Sequence, residues 1–335
     1  MIGWRDLPPP PVGRTGWPWT EEGGAPPARR ADDSAWPRFS IVTPSYNQGA
    51  YLEETLRSVL LQGYPNLEYV VMDGGSSDGS VEILRRYAPF LSDWRSEKDG
   101  GQSQAINRGL ARATGELLGW VNSDDRFEPG ALACAAQALS GTGAWTVGHC
   151  REIDAQGRLI RLIAPQLIRT PAEWAERFLD SASAIIPQPS TFWTAAAWKR
   201  AGPLREDMHF VFDHDFFFRL LRAAGPPALV AQTLSSSRLH PDCKNVAFSN
   251  SFAPELIEAG LRNLGAVPFH RRLWAPVRVS RSRGTLALYE GVRLARQGDR
   301  RGAAVQWLKA FALWPFGFAS RLFAGFVRRE ILKWR

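Results

Sequence analysis

The sequence predicts an α/β protein built on a doubly wound, mostly parallel sheet with flanking helices and a helical appendage at the C-terminus. Between residues 39 and 129, short apolar runs alternate with amphipathic segments of helical spacing, which is the pattern of parallel βαβ units. From about residue 252 onward the pattern is mostly helical, with Arg on one face and Leu, Trp and Phe on the other. A length of 335 residues accommodates one large α/β domain and a smaller appendage.

The individual elements follow in chain order. Apolar, β-branched or aromatic runs predict strands at residues 39–43 (FSIVT), 68–72 (EYVVM), 117–121 (LLGWV) and 144–148. Apolar side chains at helical spacing predict helices at residues 51–61, 81–87, around 106–110 and at 212–221. Pro129 marks the start of a further helix, and residues 154–157 (DAQG) predict a hairpin turn.

Composition divides the chain into three predicted regions. Residues 1–37 are rich in Pro, Gly and Trp, which favours an extended arm that lies on the domain surface through its tryptophans. Residues 38–250 form the predicted α/β domain, and residues 251–335 form a helical, basic C-terminal region. Within that region, residues 284–315 resemble one helix–turn–helix unit of tetratricopeptide type, which must pack on another surface.

The formal net charge is +8, and the excess of Arg lies mainly beyond residue 271. A basic region of this kind indicates an anionic partner: a membrane surface, a phosphate-linked substrate or nucleic acid, with an ordinary basic surface as the alternative. Residues 316–335 suit either an interfacial membrane helix or a core-packed helix with a solvated basic face. We expect no nucleic acid partner, because the sequence contains no recognisable nucleic-acid-binding module.

The cysteines and the apolar segments bear on cellular location. Cys134, Cys150 and Cys243 are widely spaced and fit neither a disulfide framework nor a zinc site. The N-terminus shows no signal-peptide pattern, and no stretch approaches the roughly 20 apolar residues that span a bilayer. We therefore expect a cytoplasmic protein, at the inner face of the membrane if its basic C-terminal region binds there.

Polar side chains follow three of the predicted strands at the point where each strand ends. They are Thr43, Asp73 and the cluster at residues 122–125 (NSDD). Doubly wound sheets bind ligands at the carboxyl ends of their strands, so we expect all three to line one crevice. The adjacent carboxylates of Asp124 and Asp125 repel each other unless a cation lies between them, and their hard oxygens suit Mg²⁺ or Mn²⁺. A helix N-terminal cap is the alternative for this cluster.

Two glycine-containing loops offer further ligand contacts. In residues 73–80 (DGGSSDGS), the carboxylate of Asp73 can accept hydrogen bonds from a base or a ribose, and a capped βα loop is the alternative. In residues 99–107 (DGGQSQAIN), backbone amides at a helix start suit a phosphate or sugar hydroxyls, and a capped turn is the alternative. Neither loop is a G-x-G-x-x-G fingerprint or a P-loop.

Two segments of the second half carry titratable groups. Residues 213–215 (DHD) follow an aromatic run, and an acid in such a setting suits a general base; acids that interact with a helix dipole are the alternative. In residues 238–244 (RLHPDCK), His240 can complete a metal site and Lys244 can neutralise a phosphate. A purely structural histidine is the alternative for His240.

In combination, four segments resemble the family 2 glycosyltransferases. They are residues 39–49 (FSIVTPSYNQG), 69–80, 101–107 (GQSQAIN) and the 122–125 cluster. The resemblance covers roughly residues 38–245 and implies a GT-A fold and an inverting, metal-dependent hexosyltransferase. Such an enzyme moves a sugar from a nucleoside diphosphate, by default UDP, to a glycan or lipid-linked acceptor in polysaccharide synthesis. The implied cofactor is Mn²⁺ or Mg²⁺.

The resemblance also implies roles for individual residues. The implied nucleotide-sugar contacts are Thr43, Pro44, Tyr46, Asp73, Gln102, Asn107, Asn122, Ser123 and Asp124. The implied metal ligands are Asp124, Asp125 and His240, and the implied catalytic base is Asp213. The implied residues on the sugar and acceptor side are Gln188, Pro189, Ser190, Asp215 and Lys244.

This chain departs from the family pattern at three positions. Gly74, Asn122 and Phe212 stand where the family often has acids, which bears on ribose contacts and metal affinity. The departures resemble variation within one subgroup of the family.

Two other classes of protein can share the predicted fold. A nucleotidyltransferase that makes sugar nucleotides would normally carry a glycine-rich basic loop after the first strand, and the sequence has none there. A non-catalytic scaffold is the other alternative. The presence of Asp124, Asp213 and His240 together argues against it.

Overall fold

The computed structural model describes residues 2–30, 33–141, 143–166, 168–182, 184–244 and 251–315. The chain divides into two units: Met1–Ile168 with Ala184–Ser249, and Arg169–Ser183 with Asn250–Arg335. Residues 169–183 therefore group with the C-terminal helices, although the α/β domain surrounds them in sequence. The segment 316–335, interpreted above as an interfacial or core-packed helix, lies outside the described residues.

The strands of the described residues form one mixed sheet in the first unit. Their bounds are β1 (Phe39–Ser45), β2 (Leu67–Asp73), β3 (Asp93–Ser96), β4 (Leu117–Trp120), β5 (Arg126–Phe127), β6 (Trp145–Asp154), β7 (Leu159–Ile163), β8 (Thr191–Thr194) and β9 (Ala228–Leu239). The strand order is β3-β2-β1-β4-β8-β6-β9-β5, with β7 paired to β6. The first four strands in this order are parallel, and β8 pairs antiparallel with both β4 and β6. The predicted α/β fold class is confirmed.

Strands β1, β2 and β4 of the parallel half are almost entirely buried, as is usual for parallel strands, whereas the edge strand β3 is partly exposed. All seven residues of β1 and the last six of β2 are buried. The pairing register sets Ser45 of β1 beside Asp73 of β2, and Val42 beside Trp120 of β4. The carboxyl ends of these three strands therefore meet at one edge, as the sequence predicts.

Helices flank the sheet and make up the second unit. In chain order they are α1 (Leu52–Leu60), α2 (Ser80–Tyr87), α3 (Gln102–Arg112), α4 (Ala131–Ala138), α5 (Pro171–Leu179), α6 (Ala195–Ala201), α7 (Phe212–Ala224), α8 (Phe252–Arg262), α9 (Phe269–Arg272), α10 (Ala275–Arg296) and α11 (Arg300–Leu313). Of these, α5 and α8 to α11 belong to the second unit.

A buried aromatic cluster fixes the position of α7. Trp120, the last residue of β4, packs on Trp193 of β8 with ring centroids 5.2 Å apart. It also packs on Phe216 and Phe217 of α7, with centroids 6.1 Å apart in both pairs. Aromatic contacts of this kind stabilise beyond their buried area. The cluster therefore holds α7 against the end of β4, where the 122–125 segment begins.

The N-terminal arm packs against α1 through a buried arginine. The guanidinium of Arg57 donates hydrogen bonds to the carbonyls of Pro8, Pro18 and Trp19 at 2.9, 3.0 and 2.7 Å. It also lies over the Trp19 ring, 5.4 Å from the centroid, which is a cation–π arrangement. Trp19 is buried as a result, so the arm is part of the packed structure of the first unit.

In the second unit, α10 and α11 form a helix–turn–helix, as predicted for residues 284–315. The two helices approach closely because α10 has glycines at the contact. A Cβ atom at Gly284 would meet Trp314 at 2.6 Å, and one at Gly291 would meet Trp307 at 2.5 Å. Among the residues that the structure describes, no helix combines the length and apolar character needed to cross a bilayer.

Candidate active site

The loops that follow β1 and β2 are joined by hydrogen bonds. The backbone N–H of Asn47 donates to Ser76 Oγ at 2.8 Å, and that of Ser77 donates to Asn47 Oδ1 at 2.9 Å. The N–H of Gly49 donates to Asp78 Oδ2 at 2.7 Å. Two βα loops that are about 30 residues apart in sequence thereby form one surface beyond the strand ends.

Asp73, the last residue of β2, organises the glycine loop that follows it. Its Oδ2 accepts from the N–H groups of Gly75 and Ser76 at 3.1 and 2.9 Å and from Ser96 Oγ at 2.7 Å. Its Oδ1 accepts from Ser76 Oγ at 2.5 Å. Charge-assisted bonds of this kind hold Gly75 at a φ of +82°, which favours glycine. Both oxygens are engaged by the protein, and direct contact of Asp73 with a base stays a prediction.

The three predicted contacts at the end of β1 differ in exposure. Thr43 and Pro44 are buried, and the Thr43 hydroxyl lies 2.9 Å from Tyr69 Oη. Burial raises the pKa of the Tyr69 hydroxyl, against a smaller lowering by the Thr43 hydrogen bond. Tyr46, directly beyond the strand, is 63 % exposed. Of this group, Tyr46 presents the side chain that a nucleotide can reach.

Asn122 connects three segments that are far apart in sequence. Its Oδ1 accepts from Gln102 Nε2 at 2.7 Å. Its Nδ2 donates to Gln188 Oε1 at 3.1 Å and to Asp125 Oδ2 at 3.2 Å. Gln188 Nε2 in turn donates to the carbonyl of Trp120 at 2.9 Å. A carboxylate at position 122 has no hydrogen to donate to Asp125, so the amide fits this network where the family often has an acid.

Asp124 and His240 lie side by side at the centre of the site. His240 Nε2 is 3.1 Å from Asp124 Oδ2. The imidazole is buried against the Tyr51 ring, whose centroid is 4.8 Å away, and the Asp124 side chain is 18 % exposed. Carboxylate and imidazole are common ligand types for first-row divalent ions. Among the described residues, no three His, Cys, Asp or Glu side chains form a metal-binding group. Metal binding by the Asp124–His240 pair stays a prediction.

Asp125 faces the interior of the protein. It is 6 % exposed, and its Oδ1 accepts the backbone N–H of Arg238 at 2.9 Å. Burial and, after it, the neighbouring charge of Asp124 raise the pKa of Asp125 well above its ordinary value of 3.8. Strand β5 follows directly, so the alternative of a helix cap for this cluster is wrong. Asp125 therefore anchors the 122–125 loop to the backbone of Arg238. Its role as a metal ligand stays a prediction.

Arg238 is a residue whose role the sequence does not reveal. Its buried guanidinium donates to the carbonyl of Asp124 at 3.0 Å and pairs with Glu54 at 3.0 Å. It also lies over the Tyr51 ring, 4.9 Å from the centroid. Since Tyr51 contacts His240, Arg238 supports both members of the Asp124–His240 pair. The one sequence feature that points to this role is the position of Arg238 two residues before His240. No sequence pattern marks Glu54 or Tyr51.

Asp213 and Asp215 share the first turn of α7 but have different surroundings. Asp213 is partly exposed, and its Oδ1 accepts the N–H of His214 at 2.8 Å. Asp215 is buried, and its Oδ2 pairs with Arg219 at 2.8 Å and Arg205 at 3.4 Å. Asp213 is therefore the carboxylate that a ligand can reach. Contact of Asp215 with a sugar stays a prediction.

Lys244 lies beside the first turn of α7. Its Nζ donates to the carbonyl of His209 at 2.9 Å and lies 5.6 Å from the centre of the Phe212 ring. This places a cation next to the helix start that carries Asp213. Two other predicted contacts, Ser123 and Pro189, are buried.

Ser190 and Asn107 make their hydrogen bonds within the protein. The buried Ser190 hydroxyl donates to the carbonyl of His149 at 2.7 Å. The Asn107 side chain accepts from the N–H of Leu204 at 2.9 Å and donates to the same residue's carbonyl and to Glu206, both at 2.9 Å. Their contacts with sugar or nucleotide stay predictions.

The sequence is similar to known glycosyltransferases. Residues 40–185 match the family model described as glycosyl transferase family 2. An uncharacterized glycosyltransferase of Mycobacterium tuberculosis (strain H37Rv) is 30 % identical over 242 residues, which cover 70 % of this chain and 85 % of that protein. An uncharacterized glycosyltransferase of Rickettsia felis is 27 % identical over 248 residues, which cover 70 % of this chain and 41 % of that protein. The strand-end site and these relatives define a glycosyltransferase. More narrowly, the chain belongs to glycosyltransferase family 2.

The fold is also similar to that of a solved structure. The crystal structure of S. aureus TarS 1–349 in complex with UDP-GlcNAc matches with a TM-score of 0.53 over 81 % of this chain and 90 % of that chain. The sequence identity is 16 %, so this likeness concerns the fold alone. It agrees with the GT-A fold that the resemblance implies.

Proposed function

We propose that this protein is an inverting, metal-dependent hexosyltransferase of glycan or polysaccharide synthesis. Its donor is a nucleoside-diphosphate sugar, by default a UDP-sugar, and its acceptor is a hydroxyl of a glycan or lipid-linked glycan. The observation that carries the proposal is the Asp124–His240 pair, 3.1 Å apart beyond the end of β4. TarS, which has a similar fold, is described in complex with UDP-GlcNAc, and this supports the donor class. A peripheral membrane contact through the basic C-terminal region is part of the proposal.

The nucleotide would bind on the surface formed by the loops after β1 and β2. Tyr46 is exposed there and offers an aromatic face to a base. The backbone amides at the start of α3 suit the diphosphate, because an N-terminal helix end favours negative charge.

Asp124 and His240 would hold Mn²⁺ or Mg²⁺ next to the diphosphate. Such an ion supplies positive charge that offsets the negative charge developing on the leaving nucleoside diphosphate. Asn122 and Arg238 keep the loop that carries Asp124 in place through the bonds described above.

Asp213 is the proposed catalytic base. It takes the proton of the acceptor hydroxyl while the hydroxyl oxygen attacks the anomeric carbon of the donor sugar. The new carbon–oxygen bond forms as the bond to the diphosphate oxygen breaks, and the nucleoside diphosphate leaves with the electron pair. A single displacement of this kind inverts the anomeric carbon. Lys244, beside the same helix start, suits a phosphate of a lipid-linked acceptor.

The stereochemistry can be tested before the acceptor is known, because water can serve as a slow acceptor. Purified protein is incubated with α-linked UDP-sugars and Mn²⁺, and ¹H NMR follows the anomer that is released first. We expect the β-anomer and UDP. Release of the α-anomer first would exclude the inverting mechanism. Formation of UTP and sugar 1-phosphate on addition of pyrophosphate would show a nucleotidyltransferase instead.

A further inference from the structure

An exposed apolar patch lies on the second unit where α9 leads into α10. Its members Phe269, Leu273, Trp274 and Val277 are 74, 65, 65 and 43 % exposed. Leu273 and Trp274 form the turn that joins the two helices, with right-handed helical backbone angles, so the four patch residues lie together at this junction. Val279 of α10, by contrast, belongs to the apolar core of this unit. Large apolar side chains at this exposure mark an interaction surface.

The patch lies in the most basic part of the chain. The described residues of the second unit, 169–182 and 251–315, contain thirteen Arg and Lys against seven Asp and Glu, a net charge of +6. The whole chain has a net charge of +8. An anionic partner therefore complements this surface.

The acids nearest to the patch are already paired. Glu176 of α5 lies 3.4 Å from Arg271 and 3.3 Å from Arg278, and Asp180 lies 3.8 Å from Arg278. Arg281 follows Val277 by four residues, on the same side of α10, and is exposed. The local field at the patch is therefore positive.

Exposed Phe and Trp beside arginines are the composition of elements that lie in a membrane interface. The apolar side chains enter the boundary between headgroups and acyl chains, and the arginines contact lipid phosphates. We propose that Phe269, Leu273, Trp274 and Val277 insert into the surface of a membrane that contains anionic lipids. This inference rests on the peripheral membrane contact proposed above and is independent of the transfer chemistry.

Vesicle flotation of the full-length protein tests the proposal. The probes are vesicles of phosphatidylcholine alone and of phosphatidylcholine mixed with phosphatidylglycerol. We expect binding to the anionic vesicles alone, weakened by salt. The double variant Phe269→Ser, Trp274→Ser should bind at least about tenfold more weakly, because it loses most of the inserted apolar area. Arg281→Gln should also weaken binding.

Leu308→Ser is the matched control, since Leu308 is 71 % exposed on α11 of the same unit. It should bind vesicles like the wild type. Equal binding by the wild type and the double variant, or equal binding to both kinds of vesicle, would overturn the proposal. A dimer in sedimentation that the double variant abolishes would also overturn it, because the patch would then join two copies of this chain. UDP binding should be unchanged in every variant, so failure here is distinguishable from failure of the proposed reaction.

Discussion

His240 Nε2 lies 3.1 Å from Asp124 Oδ2, although the two residues are 116 positions apart in sequence. The contact joins the loop after β4 to the segment that follows β9. Arg238 supports it from behind by bonding to the carbonyl of Asp124, and Tyr51 packs against the imidazole. In the metal site proposed above, Arg238 and Tyr51 would fix the geometry of the two ligands before an ion binds, and groups in such positions raise metal affinity.

Arg238→Lys should lower the affinity for Mn²⁺ about 10- to 100-fold, the usual effect of losing a residue that orients a metal ligand. Lysine keeps the positive charge near Glu54 but cannot bond to Glu54 and the Asp124 carbonyl with the same planar group. The measurement is a Mn²⁺ titration at saturating UDP. Arg158→Lys is the control, because Arg158 forms an exposed pair with Asp154 on the neighbouring hairpin. Equal Mn²⁺ affinity in the two variants would show that Arg238 does not position the site.

Asp213→Asn should reduce turnover by about 10²- to 10⁴-fold, the usual contribution of a general base. Binding of UDP and Mn²⁺ should stay unchanged, because the proposed ligands of both lie elsewhere. Turnover is measured as UDP release from the preferred UDP-sugar. Asp207→Asn, an exposed acid in the segment before α7, should keep wild-type turnover. Near-wild-type turnover in Asp213→Asn would remove this residue from the mechanism.

Arg57→Met should lower the free energy of unfolding by about 3 kcal/mol, because hydrogen bonds to a buried charged group are lost and their acceptors remain buried. It should also expose the arm to protease, since Arg57 bonds to three arm carbonyls. Urea unfolding and limited proteolysis provide the measurements. Arg85→Met removes an exposed pair with Glu82 and should have little effect. An Arg57 variant as stable and protease-resistant as the wild type would contradict this account of the arm.

The ionisation of the Glu68 carboxyl makes the free energy of unfolding depend on pH. Burial pushes its pKa up, but hydrogen bonds from Ser40 and Thr114 and the Arg38 charge outweigh burial and hold the pKa below its ordinary value of 4.5. A carboxyl group with a lowered pKa in the folded state stabilises above its unfolded pKa and loses this contribution as pH falls through the folded value. Glu68→Gln should therefore be less stable than the wild type at pH 7. The difference should shrink below about pH 4.5, as measured by urea unfolding across pH. A difference that is constant with pH would contradict the ionised role of Glu68.

The strands beside the site could be predicted because they are buried on both faces. Residues 39–43, 68–72 and 117–121 are apolar runs, and the observed strands β1, β2 and β4 begin and end within two residues of them. Polar residues that directly follow such runs lie at the carboxyl edge of a parallel sheet. Thr43, Asp73 and the 122–125 cluster can therefore be assigned to one edge of the sheet without tertiary information.

Strand β9 and its contribution to the site could not be predicted in the same way. Its serines Ser235 and Ser236 are buried, where an apolar pattern would be expected. They are tolerated because Ser190 and Glu128 form hydrogen bonds with them. The pairing of Arg238 with a glutamate of α1 likewise depends on tertiary structure. The spacing of residues along the sequence does not indicate this contact.

Helix α5 shows the opposite case, in which local signals exist but do not decide the packing. Thr170 caps the helix by accepting the N–H of Glu173 at 3.2 Å, and Pro171 occupies the first turn. Both are signals of a helix start, although no helix is predicted for these residues above. They do not indicate that it joins the second unit, because that depends on the partner that covers its apolar face.

The most direct test of the central claim is thermal stabilisation by UDP, GDP and dTDP, each with and without Mn²⁺. It is made on the wild type, on Asp124→Asn and on Asp93→Asn, which changes the first residue of β3, at the opposite strand ends from the site, where Asp93 pairs with Arg112 at 3.2 Å. We expect a Mn²⁺-dependent rise in Tm with one nucleotide, retained in Asp93→Asn and lost in Asp124→Asn. No rise with any nucleotide, or the same rise in Asp124→Asn as in the wild type, would contradict the proposal that Asp124 and His240 form a metal and diphosphate site.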